Sequence, residues 1–157
     1  MTAAAPSPII DNDSDWVKKE IDEYVATDGA KPVFRYGSPL LLLTTKGRKS
    51  GEWRRTCLIG SAYEDGDEGE DGDEGEYLVV ASIGGAPKHP VWYLNLVENP
   101  RVWLQVGAET FWATARTATD EEKQARWDFM VGLYPDYADY QKKTDRQIPV
   151  VILTRDE

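Results

Sequence analysis

One cysteine, Cys57, and one histidine, His89, are all the thiol and imidazole that the 157-residue chain contains. That scarcity excludes an intrachain disulfide framework and any thiolate or imidazole zinc cage, so no metal site is expected. Long apolar runs are missing as well. No stretch nears the roughly 20 residues of a membrane span, and the opening MTAAAPSPIIDND lacks a basic segment leading into an apolar core, so a cytoplasmic protein is expected. Positive charge is not in excess either. With 18 bases against 28 acids the net charge is −10, which makes nucleic acid and anionic bilayers poor partners. Most of that charge is local, because EDGDEGEDGDEGE at 64–76 holds nine acids and no base, leaving 19 acids against 18 bases elsewhere. The remaining body is close to neutral.

What the chain does have is aromatic surface. Six Trp, eight Tyr and three Phe are compatible with a planar ligand without requiring one. The length suits one domain, expected over 14–157, behind a flexible tail at 1–13. A helix is expected from Ser14 or Asp15, with Val17, Ile21, Tyr24 and Val25 on its apolar face and Lys18, Lys19, Glu20, Asp22 and Glu23 opposite. Its mixed charge favours docking on the domain over lying on a membrane, although peripheral association stays open.

Strands are expected at Leu40 to Thr45, Arg54 to Tyr63, Tyr77 to Ser82, Val102 to Val106, Phe111 to Arg116 and Pro149 to Leu153. Thr119, Asp120, Glu121 and Glu122 form a capping-box signature for a helix reaching about Tyr134, and Pro90 suits the start of a short one. Six mainly antiparallel strands with three or four helices point to an α+β protein built on a small barrel. The acidic tract, with DGDEGE twice in succession, reads as a solvated loop. A calcium loop is the sharper alternative, but the ligand order of an EF-hand is absent.

Three segments can carry chemistry. Lys46, Arg48, Lys49, Arg54 and Arg55 crowd a glycine-containing turn that is either an anion site or an ordinary solvated hairpin tip. ASIGGAPKHPVWYLNL, 81–96, joins a strand ending at Ser82 to a helix whose Trp92 and Tyr93 could cover a ring or simply pack in the core. Tyr134, Tyr137 and Tyr140 recur every three residues, as phenol donors or as core rim. His89 has no local carboxylate or serine partner, and Cys57 reads as an inert buried thiol. Anion sites and aromatic surface without a nucleophile suit a protein that positions a cofactor.

The stretches LLLTTKGRKSGEWRRTCL, ASIGGAPKHPVWYLNLVENPRV, ATARTATDEEK and LYPDYADYQKKTDRQIPVVI, in this order over most of 40–153, resemble the deazaflavin-dependent nitroreductase and quinone reductase family. The resemblance implies a split β-barrel of the FMN-binding type and hydride transfer from reduced coenzyme F420 to a quinone or nitroaromatic acceptor. It implies that Arg48, Lys49 and Ser50 hold the cofactor's phosphate and oligoglutamate tail, with Arg54, Arg55, Thr56, Cys57 and Leu58 continuing along it. Ala81, Ser82 and Ile83 match the strand end near the ring, and Val91, Trp92, Tyr93, Leu94 and Asn95 the helix that completes the site. Tyr137 matches a tyrosine beside the reacting ring, placing it and Ser82 as candidate catalytic groups and Tyr134, Tyr137 and Tyr140 against substrate. Cys57 stands where the family often has proline, and Ile83 where it often has lysine, which leaves one contact to the acidic tail unmade. The rival readings are an FMN-dependent split-barrel reductase and a non-catalytic F420 carrier. A homodimer is an option.

Overall fold

The computed structural model describes residues 4–63, 75–82 and 87–156, apart from the side chain of Arg35. The acidic repeat over 64–74, Ile83 and the glycine pair at 84 and 85 lie outside these residues. In chain order come β1 (Ile9–Asp11), α1 (Asp15–Thr27), β2 (Leu40–Lys46), β3 (Trp53–Ala62), β4 (Glu76–Val80), α2 (Val91–Glu98), β5 (Arg101–Val106), β6 (Glu109–Thr117), α3 (Asp120–Leu133), α4 (Asp136–Lys142) and β7 (Val150–Arg155).

Six strands run β3-β2-β5-β6-β7-β4, and β4 returns to β3, closing an antiparallel barrel. The α+β barrel expected from sequence is therefore the fold. Each of these six strands is thereby paired on both sides, which removes edges from the barrel itself. Ten residues long, β3 serves two partners in succession: its start pairs β1 in parallel, and its end, Gly60 to Ala62, pairs β4. The barrel needs that close approach at Gly60, where a Cβ would lie 2.5 Å from Leu41 Cδ2 and 2.9 Å from Val79 Cγ1.

Apolar runs too dense for simple alternation have their explanation in what lies on each side of the sheet. Leu41 and Leu43 point into the barrel with Val79, Leu104, Val151 and Leu153, whereas Leu42 points outward to Val17, Ile21 and Tyr24 of α1. On the opposite wall, Val150 and Ile152 face outward to Met130, Tyr134 and Tyr137. Both faces of β2 and β7 are covered, so both alternating sets are apolar. Leu96 of α2 enters the barrel core, fixing that helix across one end.

Two expectations need correction. Residues 9–11, assigned to the tail, form a strand held by the ladder Ile9 to Trp53, Ile10 to Arg54 and Asp11 to Arg55. Three residues are too short to carry a periodic signal. Val25, expected on the buried face of α1, is 44% exposed. Eight positions beyond Val17 it has turned about 80° around the axis, past the edge of the packed stripe. The Thr119–Glu122 capping box is present in full. Pro135 separates α3 from α4, so the three tyrosines straddle a corner between two helices.

Candidate functional site

Three cavities share walls along one side of the barrel. The first, about 250 Å³, is lined by Trp16, Glu20, Phe34, Leu40, Cys57, Leu58, Ile59, Val80, Ser82, Trp92, Tyr134, Tyr137 and Tyr140. Trp92 also walls the second, of about 330 Å³, together with Asp11, Asn12, Asp13, Thr45, Arg54, Arg55, Thr56, Pro90, Val91 and Asn95. Arg54, Val91 and Asn95 continue into the third, about 220 Å³, where Gly47, Arg48, Lys49 and Ser50 complete the lining. The row begins aromatic and ends cationic.

The cationic end is shaped by the β2–β3 turn and by α2. Gly47 N–H donates to Glu52 O at 2.7 Å, and Gly51, with φ of 74°, takes the left-handed conformation that closes the turn. Asn95, buried in α2, accepts from Arg48 N–H at 3.1 Å and donates toward Thr45 Oγ1 at 3.5 Å. The Arg48 Nε atom is buried with no hydrogen-bond partner among the described residues. A buried guanidinium N–H without a partner is costly unless an acceptor arrives, which makes this end of the row receptive to an anion.

The five bases are not equally free. Arg55 donates to Asp11 through Nε at 2.6 Å and Nη2 at 3.2 Å, and Arg54 Nη2 meets Glu52 at 2.7 Å. Sequence spacing groups the bases correctly but does not reveal that an aspartate from the chain start occupies Arg55. Burial alone would raise the Asp11 carboxyl, yet hydrogen bonds and charge from Arg55 and then Lys18 hold it below its ordinary value.

At the aromatic end the tyrosines converge. Ring centroids are 5.0 Å apart for Tyr134 and Tyr137, and 6.1 Å for each with Tyr140. The Tyr134 and Tyr140 hydroxyls lie 3.0 Å apart. Burial raises the Tyr137 and Tyr134 phenols above their ordinary values, Tyr137 with further contributions from its tyrosine neighbours. They remain protonated donors throughout the physiological range. The Cys57 thiol is pushed up to about 12 by burial and then by the charge of Glu20, in keeping with an inert thiol.

Of the other residues singled out by sequence, Ser82 lines the first cavity, Val91 the second and third. Tyr93 lines none of the three. Its hydroxyl lies 2.7 Å from Thr117 Oγ1, and its ring packs on His89 at 4.9 Å. Leu94 and Ala81 line none of the three either; Ala81 is fully buried and donates its N–H to Pro149 O.

Sequence reasoning missed Arg146. Its Nη1 donates to Ala81 O at 3.2 Å and its Nη2 to Ser82 O at 2.9 Å, while Nη1 also approaches His89 Nδ1 at 3.2 Å. One guanidinium thus pins the strand end that carries Ser82. Since arginine only donates, His89 Nδ1 accepts, and desolvation followed by the Arg146 charge lowers the imidazole's pKa and keeps it neutral. Glu20, expected on the solvent face of α1, instead lines the first cavity. A helical wheel could have found it, about 40° from Tyr24.

A family described as F420H(2)-dependent quinone reductase matches residues 16–155 of the chain. The F420H(2)-dependent quinone reductase Rv1261c of Mycobacterium tuberculosis (strain H37Rv) is 40% identical over 120 residues, 74% of either chain. The solved structure of F420-H2 Dependent Reductase (FDR-A) is 44% identical with a TM-score of 0.62, covering 73% of this chain and 93% of its own. A second structure, described as a domain-swapped dimer, is 40% identical with a TM-score of 0.64, covering 88% and 97%.

Proposed function

The chain belongs to the F420H(2)-dependent quinone reductase family, and from that premise we propose that it reduces a quinone with reduced coenzyme F420, nitroaromatic compounds being further acceptors. The observation that carries this reading is the row of cavities, aromatic at one end and cationic at the other, where Arg48 Nε has no partner among the described residues. It fits a cofactor with a planar ring and a polyanionic tail.

Arg48, Lys49 and Ser50 hold the phosphate and acidic tail by charge-assisted hydrogen bonds. Asn95 fixes the Arg48 backbone against α2, so the turn is set before the anion arrives. Arg54, Thr56 and Val91 line the middle cavity, while Arg55 shapes it through Asp11. Cys57, Leu58 and Trp92 would give the ring apolar walls, with Ser82, whose carbonyl Arg146 holds, lining the same cavity.

When bound, the reduced deazaflavin supplies a hydride. The chain orients the acceptor and stabilises the charge that grows on its oxygen. Tyr137, with Tyr134 and Tyr140 around it, donates a hydrogen bond to that oxygen from a largely apolar wall, where a fixed dipole acts strongly. Ser82 acts as a second donor. Among the described residues no helix is long and apolar enough to cross a membrane, and no cluster of three or more His, Cys, Asp or Glu could hold a metal ion. We place the reaction in the cytoplasm, in a homodimer as the dimeric relative suggests; sedimentation velocity checks the assembly.

The test is titration with reduced coenzyme F420, followed by anaerobic addition of a soluble quinone while cofactor absorbance is monitored. Saturable binding and quinone-dependent oxidation are expected. Absence of binding would refute the reading, and binding without oxidation would make the protein a carrier.

A further inference from the structure

The first cavity is apolar and aromatic on nearly every side, yet Glu20 lines it. Among the described residues, no other carboxyl and no Lys, Arg or His lines it. Glu20 is half-buried, and among the described residues it has neither a hydrogen bond nor an ion pair. An unpaired carboxyl in such surroundings opposes the stability of the fold, so it is the kind of local conflict that marks a working group. It comes from α1 and shares this cavity with Tyr134, Tyr137 and Tyr140 of the α3–α4 corner.

Resting on the quinone reductase reading, we propose that Glu20 is the general acid that protonates the acceptor oxygen. A quinone that has accepted a hydride is a hydroquinone monoanion and needs one proton to leave as the neutral product. The Glu20 O–H bond breaks as the hydroquinone O–H bond forms, and the resulting carboxylate takes its next proton from solvent. The two electrons come with the hydride, so no other reductant is involved.

This divides the labour in the pocket. Tyr134 and Tyr137, held above the ordinary phenol value, are strong hydrogen-bond donors but poor acids near neutrality. A general acid works best when its pKa lies near the operating pH. Burial, and then the charge of Glu23, raise the Glu20 carboxyl from the ordinary 4.5 toward that range. The titratable groups around it are Glu23 on its own helix, Cys57 of β3 and the three phenols of the α3–α4 corner. None of these carries a positive charge that would pull the carboxyl down.

The test uses the full-length protein, Glu20→Gln and Glu20→Asp. Carbon NMR of carboxyl-labelled protein without cofactor should show a glutamate titrating above 4.5, assigned by its loss in Glu20→Gln; a midpoint at or below that value would overturn the proposal. In anaerobic turnover with a soluble quinone, Glu20→Gln should fall about 10²-fold and lose the decline at alkaline pH, with Glu20→Asp recovering part of the rate. Rates are compared at saturating reduced coenzyme F420, so that a fall reports turnover and not cofactor binding. Wild-type rate and pH profile in Glu20→Gln would overturn the general-acid role while leaving the quinone reductase reading intact. A wild-type protein that binds the cofactor but reduces no quinone would overturn both.

Discussion

Replacing Asp11 with Asn tests whether the chain start is structurally part of the site. Asp11 receives Arg55 through two hydrogen bonds, at 2.6 Å and 3.2 Å, and Lys18 Nζ stands 3.4 Å from its Oδ2. The side chains of Asp11 and Arg55 are only 14% and 23% exposed, so this pair is neither a solvated surface contact nor fully desolvated. Hydrogen bonds to charged groups contribute about 1.5–3 kcal/mol each, whereas exposed pairs contribute about 0–1 kcal/mol. With water reaching part of the pair, a loss of about 2 kcal/mol is expected for Asp11→Asn near neutral pH. For a chain of this size that corresponds to a fall of about 4–8 °C in Tm.

The pH dependence has a definite sign. The Asp11 carboxyl is lowered in the fold from the ordinary 3.8, so its stabilisation is present above that value and disappears as pH drops through the folded one. Thermal melts followed by circular dichroism should show the full wild-type advantage at about pH 7 and pH 5, narrowing below about pH 4. Equal melting temperatures at neutral pH, or a gap that persists undiminished into acid, would refute the reasoning. Removing a negative charge from the middle cavity should also strengthen binding of the anionic cofactor at low salt.

Gly60→Ala should cost about 1–3 kcal/mol by overpacking, read as a lower urea midpoint, because the new methyl would meet Leu41 Cγ at 2.7 Å inside the barrel. Arg48→Ala with Lys49→Ala should weaken reduced coenzyme F420 binding, and the difference from wild type should shrink as salt rises; fluorescence titration at two ionic strengths checks it. Tyr137→Phe should lower quinone turnover on the order of 10²-fold with cofactor affinity kept, measured by anaerobic stopped-flow absorbance.

Legibility varied with how far apart in sequence the interacting groups stand. The basic turn was readable because its bases lie within ten residues of one another and the turn itself is local, closed by Gly47 and Gly51. The tyrosine cluster was readable from its three-residue spacing, although Pro135 breaks the helix that the spacing suggested. Arg146 was not readable as a clamp, since the carbonyls it holds are 64 and 65 residues away. Nor was the occupation of Arg55, which depends on an aspartate 44 residues earlier.

By itself, the sequence determined the α+β barrel class, the six barrel strands and the helices α1, α2 and α3, and the concentration of negative charge in one acidic tract. Each of these follows from composition or from short-range periodicity, which a linear chain displays directly. Tertiary structure decided which charges are free. It tied up Arg55 and Arg54 and left Arg48 Nε without a partner among the described residues. It also turned Glu20 from an apparent solvent-face residue into the carboxyl lining an aromatic cavity. The reason is physical: a residue's charge state and reach depend on what desolvates it and what neutralises it, and in a closed barrel those neighbours come from distant parts of the chain.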